Sequence, residues 1–431
     1  MNISPVMADF QASAGGGLVR RSAERAASIA APKPVHRFGW FASLAFLCCV
    51  ALYEGKAQLT ILHSFGDGTV PNDGAIPMAG LIQAPDSNFY GTTSEQAGNL
   101  YHGNGTVFRL TVGGSVTIVH GFARGQHLDP FAALLYYNGE LIGTTAGGGN
   151  LNNGTVFRTK LNGETVRWHE FTGTDGNDPE ASVILGSDGN LYGTTFAGGS
   201  ADAGTVFKLS PTLPHTLTVL YSFTFVQGDG ANPLAALFLA QDGNYYGTTG
   251  FEGGPNGGGL IFQLTPAGKL TYIYQFPKND IPNAPLIQDQ AGNFYGTDVG
   301  GGTYGGGIVF KMTPSFKVSI LHSFGNGSDG YSPSGVVFGP NGNLYGATTV
   351  GGSTNRGTIF ELSPDGSTYT VLHNFNDGSI ANDGQIPNGP LVGRFGQQPL
   401  RNHGGRRVTK RRHDLQDQPL GACRSRRRIG F

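Results

Sequence analysis

Apolar residues along this chain fall into short runs of about four to eight, separated by clusters rich in Gly, Asn and Asp. Residues 234–240 (LAALFLA) form one such run. The turn Asp242-Gly243-Asn244 follows, then Tyr245-Tyr246-Gly247-Thr248-Thr249, a Gly-rich stretch, and Leu260-Ile261-Phe262. Apolar runs bounded by Asp-Gly or Asn-Gly predict antiparallel hairpins, because those dipeptides tolerate the left-handed backbone of a tight turn. A last run ends in His or Tyr, one residue, and Phe, as in Tyr221-Ser222-Phe223 and His322-Ser323-Phe324.

The unit recurs. The glycine of its Asn-aromatic-Tyr-Gly-Thr-Thr string falls at Gly91, Gly143, Gly193, Gly247, Gly296 and Gly346, with spacings of 52, 50, 54, 49 and 50. Four short strands in roughly 50 residues specify one blade of a propeller. One blade cannot bury both of its faces, so neighbours must stack, and radial closure removes most exposed edges. The chain is therefore expected to be an all-β β-propeller of about seven four-stranded blades, six complete copies plus a truncated seventh. A linear β-solenoid is the alternative, although solenoid coils usually repeat in fewer residues and lack the hairpin turns.

The two ends of the repeat are unequal. Residues 59–65 form a His-x-Phe strand (His63, Phe65) with no blade before it, and residues 387–392 start a seventh copy that does not finish. From Arg394 onward the composition turns Arg-rich. Permitted codons for residues 394–420, read one nucleotide later, can encode NLYGTT, a Gly-rich loop and GTIFK in the order of the repeat. The hypothesis is a frameshift near Gly393. The restored copy would supply three strands and residues 59–65 the fourth. The expected organisation is a leader with signal peptide over 1–57, the repeat domain over 58–393, and an aberrant, disordered basic tail over 394–431.

Composition agrees with this reading. Gly accounts for 71 of 431 residues and charged residues for only 13%, against about a quarter in ordinary domains. Leader and tail hold most of the Lys and Arg, which leaves 11 basic and 24 acidic residues in 58–393, a charge of about -13. A surface of that sign repels phosphate backbones, so no nucleic acid is expected as a partner. Cys48, Cys49 and Cys423 all lie outside the acidic middle, which excludes a disulfide framework or a cysteine zinc site there.

The apolar run from Trp40 to Tyr53 follows Arg20, Arg21, Arg25, Lys33 and Arg37 and ends near Gly55-Lys56-Ala57. It reads as a signal peptide cleaved near Ala57, before Gln58, and it is short for a transmembrane helix. The expected location is therefore outside the cytoplasm (secreted, periplasmic or at the cell surface), with no transmembrane span in the mature chain. An uncleaved signal anchor is the alternative. A lipoprotein is disfavoured, because Leu47 stands where a lipobox needs a small residue.

Tyr192-Gly193-Thr194-Thr195, Gly204-Thr205-Val206-Phe207-Lys208-Leu209 and Leu321-His322-Ser323-Phe324 represent strings that recur in order through the units. In these strings the chain, from Leu59 to about Val392, resembles the GloVer-repeat family of exported bacterial tandem-repeat proteins, also called choice-of-anchor proteins. The resemblance implies a secreted or surface protein with no established biochemical activity.

Candidate chemistry concentrates in loops. Each connection from a His/Tyr-x-Phe strand to the next unit carries an Asp followed closely by Pro: Asp73, Asp129, Asp178, Asp229, Asp280, Asp329 and Asp383. Propeller topology puts these loops and the Gly-rich loops on one face. There a ring of seven carboxylates would suit a hard cation such as Ca²⁺. Ordinary turn chemistry, with the Asp side chain bonded to nearby backbone N–H groups, is the other reading. The His/Tyr position recurs once per unit and is interchangeable between the two residues, which points to a structural role. The Gly-rich stretches lack the GxxxxGK[ST] pattern of a phosphate cradle.

Departures from the repeat at His102, Arg124, His127, Trp168, Glu252 and Lys278 are scattered, and no nucleophile-base pairing is evident. No catalytic residue is assigned, and an enzyme is not the first expectation. The leading expectation is a monomeric binding or display module for a polysaccharide or cell-surface protein. A propeller-type hydrolase or lactonase with a metal at the channel mouth is the alternative, and a self-associating coat protein is a third.

Overall fold

The computed structural model describes residues 45–53, 56–95, 105–122, 128–226, 228–250, 257–278, 280–380, 383–384, 387, 389 and 391. The expected leader up to residue 44, the tail from residue 392 and the departures His102, Arg124, His127 and Glu252 lie outside them.

Six four-stranded antiparallel sheets, each with its strands in chain order, form the blades of a β-propeller. They span residues 82–121, 135–170, 184–222, 238–275, 287–323 and 331–374. In blade 3 the strands are Ile184–Leu185, Leu191–Thr195, Thr205–Leu209 and Leu217–Ser222, here A to D. The B and C strands are almost wholly buried, whereas D strands alternate towards solvent. The D strands therefore form the outer rim and the short A strands lie towards the axis.

The repeated strings are explained by contacts. In the B–C pair Gly193 lies opposite Phe207, and a Cβ on Gly193 would sit 2.5 Å from the tip of that ring. All six blades repeat the arrangement, with 2.4 Å (Gly247, Phe262) and 2.7 Å (Gly91, Phe108) as the extremes. The glycine of Tyr-Gly-Thr-Thr is thus the seat of the C-strand phenylalanine, and any side chain there overpacks the core. The same phenylalanine meets the next one along the ring. Phe171, from the His-x-Phe strand of blade 2, lies 5.3 Å from Phe207 of blade 3, and Phe223 lies 5.5 Å from Phe262 of blade 4. Burial of these rings is the main adhesive between blades.

The A–B turn accounts for the Asn and Tyr of the string. Gly189 takes φ +80°, Asn190 donates its N–H (3.0 Å) and its side-chain amide (2.7 Å) to Asp188, and Tyr192 adds its hydroxyl at 3.0 Å. Where Asn341 replaces the aspartate, Glu361 on the C strand receives Tyr345 (2.7 Å) and Asn341 (2.8 Å) instead. The first Thr stitches neighbouring blades: Thr92 donates to the Ala132 carbonyl and Thr144 to that of Ala181, both at 3.1 Å.

Outside the six blades, β1 (Ala45–Tyr53) pairs antiparallel with β2 (Lys56–Phe65). Most of the apolar run expected as a signal peptide thus forms a strand here. At its far end β2 stands where the D strand of a preceding blade would stand: Phe65 lies 4.7 Å from Phe108, and the Gly114 turn packs on the Leu62 carbonyl as Gly163 does on that of Val119. At the other end of the chain, Gly389 accepts a 3.5 Å bond from Ser334 of blade 6 and packs against the Ala79 backbone ahead of blade 1. Six blades are complete, and among the described residues the seventh position holds only β2 and this returning segment. No described helix is long and apolar enough to cross a membrane.

Candidate functional site

Antiparallel order sends the B–C (Gly-rich) and D–A loops to one face and the A–B and C–D turns to the other. The D–A loops carry the candidate aspartates, and the structure sorts these into three positions rather than one ring.

Asp73, Asp229, Asp329 and Asp383 open an Asp-Gly-x-x-Pro stretch, and the member from the blade 2–3 connection is Asp175, not Asp178. Each is a clamp. His63 Nε2 meets Asp73 at 2.8 Å, His169 meets Asp175 at 2.9 Å, His322 meets Asp329 at 3.1 Å and His373 meets Asp383 at 2.7 Å, while Tyr221 donates its hydroxyl to Asp229. The same carboxylates accept the N–H of the residue just after the Phe, at 2.7 Å from Thr172 and 3.0 Å from Gly325. Local turn chemistry therefore engages these five, and His and Tyr interchange because either can donate to the same oxygen. Desolvation lowers the pKa of His322, partly offset by Asp329.

Asp129 and Asp178 stand immediately before their prolines. Their carbonyls receive Ala146 N (2.8 Å) and Phe196 N (2.9 Å), as the Asn232 carbonyl receives Gly250 N (3.0 Å). Asp280 lies one position earlier, since Ile281 receives Val299 N. "Asp shortly before Pro" merges three structural positions, and only backbone pairing separates them.

The pre-proline aspartates build an acidic patch across adjacent blades. Burial, and then Asp129, raises the Asp178 carboxyl to about 6. Burial, and then Asp178, raises Glu180 to about 8. Glu95, at the end of a B strand, is raised by burial and then by Asp129. Glu180 binds its proton more tightly in the fold than in the unfolded chain, so its contribution is complete below the ordinary carboxylate range and is lost as pH rises through its folded value near 8. Glu180→Gln is expected to flatten the decline in melting temperature between pH 5 and 9. Parallel declines in variant and wild type would contradict the assignment.

Sequence reasoning missed Glu95 and Glu180, which carry no motif and become significant only through their neighbours. The Gly-rich loops are packed supports: a Cβ on Gly198 would lie 2.5 Å from the backbone at Gly176 and Asn177. Trp168 stacks on His215 of the next blade, 4.7 Å between centroids, away from this face. Among the described residues no group of three or more His, Cys, Asp or Glu side chains is placed to hold a metal ion.

Fold and site define a repeat-built β-propeller with an acidic loop face. The sequence profile of the Gloeobacter/Verrucomicrobia repeat matches residues 79–286 and 281–398, and the chain belongs to that family. No curated protein matches it. Among solved structures, it is similar to a protein assigned as a 6-phosphogluconolactonase from Bacteroides fragilis (17% identity, 77% of this chain and 89% of that one, TM-score 0.49). It is also similar to PorZ, a surface component of the type-IX secretion system of Porphyromonas gingivalis (15% identity, 78% and 46%, TM-score 0.47). A gluconolactonase from Xanthomonas campestris matches at 14% identity over 65% and 85%, with TM-score 0.41.

Proposed function

We propose that this protein is an exported binding or display module that acts at or outside the cell surface and engages a hydroxyl-rich polymer, such as a polysaccharide, through its acidic loop face. The observation that carries the reading is the clustering of Glu95, Asp129, Asp178 and Glu180 on adjacent blades, with three of these carboxyls held above their ordinary range. A carboxyl that keeps its proton donates a hydrogen bond and an ionised one accepts, a combination that suits rows of sugar hydroxyls. Titration calorimetry against cell-wall and capsular polysaccharides tests it. Binding about tenfold weaker for Asp178→Asn or Glu180→Gln supports the reading, as would the loss of one or two hydrogen bonds to charged groups. Unchanged affinity in both variants refutes it.

The same perturbed carboxyls favour one second reading, a hydrolase or lactonase using Glu180 as general acid, because acids tuned towards neutrality are what such chemistry requires. Turnover of a lactone, ester or glycoside that Glu180→Gln abolishes would select it over binding alone.

Export rests on the basic leader and the apolar run. The protein recovered from outside the cytoplasm is expected to begin at Gln58, which N-terminal sequencing reads directly. A chain retaining residues 45–53 would favour the uncleaved anchor.

A further inference from the structure

Blade 5 departs from the repeat at linked positions. Where the clamp aspartate stands in five connections, blade 5 has the exposed Lys278, and an aspartate appears two residues later as Asp280, 5% exposed. The second Thr of the B-strand string is Thr93, Thr145, Thr195, Thr249 and Thr348 elsewhere but Asp298 here. In four blades that Thr shares a hydrogen bond of 2.8–2.9 Å with a C-strand Thr, whereas Asp298 faces Ile308. Relative to the repeat, the clamp carboxylate is gone, and two buried carboxylates stand at positions where the repeat has none.

Those two are poorly compensated. Asp298 is fully buried; its Oδ1 accepts the N–H of Ile281 (2.7 Å) and of Gly300 (2.8 Å), but its Oδ2 is buried with no partner. Asp280 directly precedes Ile281, whose N–H Asp298 accepts, and burial, with Asp280 a smaller cause and the two N–H bonds opposing, pushes Asp298 up to about 7. Gly301, at φ +70°, presses its backbone against Asp280: a Cβ there would be 2.3 Å from Oδ1. Asn283, on the same loop, has a buried Oδ1 that also lacks a partner. A buried oxygen left unpaired is costly, the more so when it is charged.

We propose that Asp280 and Asp298 form a binding site for one divalent, oxygen-seeking cation such as Ca²⁺, set inside blade 5 and independent of the acidic patch at blades 1 to 3. A hard cation satisfies two carboxylates at once, supplies the partner Asp298 Oδ2 lacks, and fills the rest of its shell with carbonyls and water. Only two acidic side chains take part, which is compatible with the lack of any larger acidic or histidine cluster among the described residues. The site does not rest on the binding reading above.

Calcium alone is the probe, added to chelator-stripped protein and followed by calorimetry and thermal melting. The expected result is one site per chain and a melting temperature raised by several degrees. Asp298→Thr with Ile308→Thr restores the repeat's own residues, so that variant should fold, melt higher than wild type in chelator, and lose the calcium shift. Asp280→Ala, the residue at the matching positions 75 and 231, should also lose it, while Asp178→Asn keeps it. No shift in wild type, or a shift surviving in both blade 5 variants, overturns the proposal.

Discussion

Phe207→Ala is expected to destabilise the propeller by about 3–5 kcal/mol, the usual cost of emptying a buried phenylalanine site. The residue is fully buried, and its ring is shared by two blades: it covers Gly193 across the B–C pair and abuts Phe171 of blade 2. Loss of the ring therefore opens a cavity at a blade boundary. Urea unfolding would read the change, and a loss below about 1 kcal/mol would show that the boundary is not held by these rings. Gly193→Ala is expected to cost about 1–3 kcal/mol by overpacking the same ring. The cost should largely disappear when Phe207 is first shortened to Leu, because one substitution then relieves the other.

Asp175→Ala and Asp178→Ala, three residues apart, are expected to differ: only the first should destabilise the fold. The first removes the acceptor shared by His169, the Thr172 hydroxyl and the Thr172 N–H, and should cost about 1–3 kcal/mol. The second removes a half-buried acid that already resists ionisation, so at pH 8 it should leave melting unchanged or raise it. Equal losses from the two would mean that both serve as clamps, contrary to the backbone register.

The sequence carries the blade in full, because every feature of the string answers to a local demand. The Asp-Gly-Asn turn needs left-handed backbone, the following Tyr reaches back to the Asp, and the Gly opposite Phe makes room for a ring. Period and order alone therefore predict the sheets. The candidate site was legible only in part. Asp175 and Asp178 both precede Pro179, and one-dimensional spacing does not reveal which of them turns back to His169. Glu95, Glu180 and Asp298 gain their character from groups on other strands, and no local pattern encodes that. The exchange in blade 5 is visible as a Thr-to-Asp change, yet its meaning depends on Ile308 across the ladder.

The joint between blades draws on residues of two successive units only: a phenylalanine from each, a threonine from one reaching a carbonyl of the next, and a clamp that spans 6 to 10 residues of the connecting loop. Nothing in that joint counts blades. An in-frame duplication or excision of one unit in the gene adds or removes a blade and reuses the joint unchanged, so ring size can drift without the invention of any new contact. An out-of-frame change, by contrast, spoils the unit in which it falls and leaves the blades encoded upstream with every joint they had.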